Sequence, residues 1–155
     1  MKNYIAFRTF FRITAFAFFA LGMGAEASAQ TGPYQFYALT PCRVVDTRGA
    51  TGVNGGPALG TARRDFQIRG FCGVPTTAKA VSLNVTVTNA TAVSYLTLWP
   101  AGQAPPGVST INFDATVSAL ANGAIVGLST ATRDLSVTNA NGSVHVILDV
   151  TGYFQ

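Results

Sequence analysis

From Ala80 to Ala90 the chain reads AVSLNVTVTNA, in which Val81, Leu83, Val85 and Val87 alternate strictly with Ser82, Asn84, Thr86 and Thr88. A period of two belongs to a β-strand, because only an extended chain sends successive side chains to opposite faces. One face is wholly β-branched or Leu and must lie on a core. The other is hydroxyl and amide and suits water. The same grammar returns in DLSVTNANGS (Asp134 to Ser143) and VHVILDVTGYF (Val144 to Phe154). The remaining segments read as partners that cover that apolar face.

In order, strands are expected over Tyr34 to Leu39, Cys42 to Arg48, Arg64 to Phe71, Ala80 to Ala90, Tyr95 to Trp99, Thr110 to Phe113 and Ala124 to Leu128, followed by the two late ones. Between them lie GATGVNGGPALG (Gly49 to Gly60), rich in Gly, and PAGQAPPG (Pro100 to Gly107), whose prolines keep it out of a ladder. About nine short strands with no helical period predict an all-β, single-domain β-sandwich.

The N-terminus carries a different signal. Lys2, Arg8 and Arg12 precede the apolar run Ile13 to Ala25, and Ala27-Ser28-Ala29 follows. These are the parts of a cleaved signal peptide over 1–29, leaving the domain at 30–155. The run is short for a membrane span, which takes about 20 residues, so none is expected in the mature chain. Cleavage would remove Lys2, Arg8, Arg12 and Glu26, and the formal charge falls from +4 to +2. That balance gives no reason to expect a nucleic-acid partner. Two cysteines remain, Cys42 and Cys72, and an even count in an exported chain predicts a disulfide over a metal site.

Catalytic groups are sparse. His145 and Asp149 share a face of the last strand but stand about 13 Å apart, too far for a base and its orienting carboxylate. No catalytic residue, cofactor or metal is assigned. Arg43, Arg48, Arg63, Arg64 and Arg69 crowd one stretch together with Asp46 and Asp65. They suit either an anionic polymer or structural pairing. In the second reading Asp46 and Arg48 join Asp149 or Asp65 and pin the termini, since the guanidinium fork matches carboxylates. Finally, if Leu96 and Leu98 face the core, Tyr95, Thr97 and Trp99 share the outer face. Tyr95 and Trp99 then make a sugar-stacking platform, with Asn84 and Thr86 as hydrogen-bonding neighbours. The competing reading buries both faces of this strand or turns Trp99 inward, as in many sandwich cores.

Six blocks, PCRVVDTR, VPTTAKAVSLNVTVT, YLTLWPAG, STINF, AN and HVILDVTGYF, occur in that order across nearly the whole mature chain. Together they resemble a secreted bacterial β-module found alone or appended to exported surface and cell-wall-acting proteins. The resemblance implies location and modularity and transfers no site. The expectation is an exported, non-catalytic surface module that binds envelope polysaccharide or a surface protein. A self-associating structural subunit, favoured by the low charge, and a small Asp-dependent hydrolase are the alternatives.

Overall fold

The computed structural model describes residues 32–155, and the targeting segment read over 1–29 lies outside the described residues. Eight strands follow in order: β1 Phe36–Asp46, β2 Arg64–Phe66, β3 Ala80–Thr88, β4 Ser94–Pro100, β5 Ile111–Phe113, β6 Ala119–Gly127, β7 Leu135–Asn139 and β8 His145–Phe154. They form two four-stranded sheets with orders β1-β8-β3-β6 and β2-β7-β4-β5, and every neighbouring pair is antiparallel. The all-β sandwich read from the alternation is the fold observed.

Val81, Leu83, Val85 and Val87 are all buried, as the period of two requires. They meet Val146, Leu148 and Val150 of β8 on the same sheet, and Leu96, Leu98, Leu135 and Val137 of the opposite one. The intervening hydroxyl and amide residues remain half-exposed on the outer face.

Three boundaries differ from expectation, each for a visible reason. The first two expected strands are one, β1, because the chain passes Thr40-Pro41 in a bulge between Ala38 and Cys42 without leaving β8. At a sheet edge a residue without an N–H is tolerated there. The strand expected over Arg64 to Phe71 stops at Phe66. The next three amides find side-chain acceptors instead of a ladder: Gln67 N–H donates to Asn54 Oδ1, and Ile68 and Arg69 N–H to Asp134 Oδ2. The strand expected over Ala124 to Leu128 begins five residues earlier, at Ala119. Small residues there hid its pattern.

The termini are tied together. Phe36 pairs with Phe154 and Tyr37 stacks on Tyr153, with ring centroids 5.1 Å apart in each pair. Ala38 faces Gly152, and a Cβ on Gly152 would overlap the Phe36 ring, so this position has room for glycine alone. Cys42 and Cys72 are disulfide-bonded, with Cα atoms 5.7 Å apart, fixing β1 to the turn that leads toward β3.

Candidate functional site

The residues read as one binding platform are divided between the two outer faces. Asn84 and Thr86 lie on β3, where Asn84 faces Asp149 on one side and Gly123 on the other. Tyr95 and Trp99 lie on β4, which pairs with β5 and β7 in the other sheet. Asn84 donates its amide to Thr86 Oγ1 at 3.2 Å, so this pair partly satisfies itself.

Trp99 corrects the platform reading. Its side chain is on the outer side of β4, opposite Leu98, yet only 3% of the residue is exposed. The loop after β4 folds back across it: Trp99 Nε1 donates to Gln103 O at 3.0 Å, and Thr97 Oγ1 to Val108 O at 3.0 Å. Thr110 Oγ1 also accepts Leu98 N–H at 3.1 Å. The prolines keep this loop out of a ladder, as expected, and the loop becomes a lid on the indole. Tyr95, which the loop flanks without covering, stays 45% exposed.

Tyr95 stands at a cleft of about 310 Å³ lined also by Thr97, Ser109, Asn112, Pro106 and Val108. Asn112 is its direct cross-strand partner. Hydroxyls, an amide and a flat amphipathic ring converge here, and the lining carries no charge. This arrangement suits a neutral, hydroxyl-rich ligand that stacks on one face and hydrogen-bonds along its edge.

The charged residues assemble elsewhere, and differently from the expected pairing. Asp149 pairs with Arg43, directly opposite it, at 2.9 Å. Asp46 pairs with Arg48 at 2.7 Å and with Arg43 at 3.6 Å, while Asp65 pairs with Arg63 at 3.2 Å. The termini are thus pinned through Arg43, and Arg48 reaches no further than Asp46. The irregularity between Ala38 and Cys42 sets this register. Arg48, hydrogen-bonded to it, holds the Asp46 carboxyl at about 2, below the usual carboxylate range. His145 shares a 3.2 Å hydrogen bond with Thr47 Oγ1, so its ring is held by a threonine and Asp149 by an arginine.

Two arginines have roles that sequence reasoning missed. Arg69 and Asp134 form an ion pair in which Asp134 is 2% exposed. Arg69 Nε also donates to Ala78 O at 2.9 Å, and Nη1 to Ser129 O. Arg64 lies over the Phe66 ring at 5.1 Å and donates to the carbonyls of Gly52, Gly55, Gly56 and Pro57. One side chain thereby organises the glycine-rich loop, and burial lowers its pKa. The available signal was the Arg63-Arg64 pair just after that loop, whose many carbonyls have no strand partner.

Among the described residues no three His, Cys, Asp or Glu side chains gather as a metal site. No helix among them is long and apolar enough to cross a membrane. Comparisons with family models, with curated proteins and with solved structures find no match to this chain.

Proposed function

We propose that the chain is an exported, non-catalytic binding module for a neutral polysaccharide of the cell envelope, seated at Tyr95. The observation that carries this reading is the exposed Tyr95 ring beside an uncharged cleft of Thr97, Ser109 and Asn112. An aromatic ring left in water at a concave polar surface offers a sugar both a stacking face and hydrogen-bonding neighbours. The expected targeting segment and the Cys42–Cys72 bond support an envelope setting.

The carboxylates favour binding over hydrolysis. Asp46, Asp65, Asp134 and Asp149 are each engaged by an arginine, and Asp114 accepts the Thr116 hydroxyl and amide. A glycosidase of the usual kind needs two facing carboxylates of different protonation, whereas four of these are each paired with an arginine and Asp114 is bonded within its own turn to Thr116.

The test is binding to isolated envelope polysaccharide by wild type and Tyr95→Ala. Losing a stacking ring removes about 1–3 kcal/mol of binding while leaving the fold intact. Equal binding by the two proteins would remove Tyr95 from the site.

A further inference from the structure

The free edge at β6 lacks the devices that keep sheet edges from pairing. β6 pairs with β3 along all nine residues with no shift in register, and among the described residues the sheet ends there. Its sequence, ALANGAIVG, holds no charge and no proline. The other three edges are guarded. β1 carries Pro41, Arg43 and Asp46 and two register shifts, while β2 and β5 are three residues each. A long, flat, uncharged edge presents a row of unpaired backbone donors and acceptors, a template for another strand.

We propose that β6 pairs antiparallel with β6 of a second copy, about a two-fold axis at Gly123, joining the two first sheets into one of eight strands. The edge is self-complementary in this register. On the core side, Leu120, which is 37% exposed, comes opposite the partner's Val126. Val126 lies in a groove of about 450 Å³ lined also by Trp99, Pro106, Val108 and Ala124, so each copy offers a leucine at one end of β6 and a receptacle at the other. On the outer side, Ile125, which is 69% exposed, comes opposite the partner's small Ala121. Core faces meet core faces, because paired residues in an antiparallel ladder point the same way. Without charge on either edge, two copies meet no repulsion there. The interface is isologous and closes as a dimer.

Gly123 supplies the test. A Cβ there meets nothing within 4 Å, and its φ lies outside the left-handed region, so a side chain is accommodated in the single molecule. On the proposed axis, Gly123→Lys sets two lysines against each other, as Gly123→Asp does two aspartates. Sedimentation of the purified wild type over a range of concentrations should show a reversible dimer. Each variant alone should weaken it roughly tenfold or more, with melting unchanged, as like charges placed directly opposite do. An equimolar mixture of the two variants should restore the dimer. Val93→Lys, at an exposed residue away from the edge, should leave it unaltered. A wild type that stays monomeric, a dimer indifferent to Gly123→Lys, or a mixture that fails to reassociate each overturns the proposal. So does a monomer whose β6 amides are protected only by an unrelated extended peptide.

Discussion

Arg69 and Asp134, 65 residues apart, meet at 2.6 Å inside the molecule, and the carboxylate also accepts the backbone N–H groups of Ile68 and Arg69. One acidic side chain thereby ends β2, anchors the start of β7 and neutralises a guanidinium that bonds to two carbonyls. Buried pairs add little net stability over an apolar replacement, but removing one partner exposes the full desolvation penalty of the other.

Asp134→Ala should therefore destabilise the fold by about 3–5 kcal/mol, since Arg69 is left charged without its carboxylate and the N–H groups of Ile68 and Arg69 lose their acceptor. Urea unfolding at neutral pH measures this. A loss below about 1 kcal/mol would show that water fills the gap and that the pair is peripheral to stability.

Cys72→Ser should also weaken the fold. The two cysteines are separated by 30 residues, and a closed loop of that size contributes roughly 3–4 kcal/mol in the chain-entropy model. Reduction of the wild type with dithiothreitol should shift the urea midpoint as far as the substitution does. A variant as stable as the oxidised parent would contradict the assignment.

Acid should loosen the end of β1. The Asp46 pKa is lowered from 3.8 to about 2, first by the Arg48 side-chain hydrogen bond. A carboxylate with a depressed folded pKa stabilises above its unfolded value and loses that contribution as pH falls through the folded one. The window is therefore pH 4 down to 2. Because Arg48 is 45% exposed, solvent screens the pair, and the contribution is small. Asp46→Asn should flatten the stability profile across that window and Arg48→Ala should hardly move melting at neutral pH. An unchanged acid limb in Asp46→Asn would shift responsibility to another carboxylate.

What was legible in the sequence and what was not divide on physical grounds. The faces of β3 and β8 were readable because a period of two leaves each side chain one choice, in or out. The partner of Asp149 was not. The irregularity between Ala38 and Cys42 brings Arg43, and not Pro41, opposite it, and bulges leave no mark in the alternation. The burial of Trp99 stood in the sequence only as one of two readings, for another reason. Strand periodicity correctly puts it on the outer side of β4, but whether a loop then returns over that side is a tertiary fact. The Arg69–Asp134 pair has the longest sequence separation among the ion pairs except Arg43–Asp149, and no local pattern announces either.

The two aromatic residues of β4 give the last prediction, because they should respond in opposite ways. Trp99 is 3% exposed with its indole N–H bonded to Gln103 O, so Trp99→Ala opens a cavity beneath the loop and should lower stability by about 3–5 kcal/mol. The loop then loses its anchor, and amide exchange at residues 103–108 should quicken. Tyr95 is 45% exposed and makes the wall of the neighbouring cleft, so Tyr95→Ala should leave melting nearly unchanged and reduce polysaccharide binding. Since the same loop lines that cleft through Pro106 and Val108, Trp99→Ala should weaken binding too, through disorder of the loop. Measuring both variants at a temperature where both are folded separates the cases. A Trp99→Ala protein that melts like wild type would return the indole to the surface, and with it the two-ring platform that the alternation of β4 first suggested.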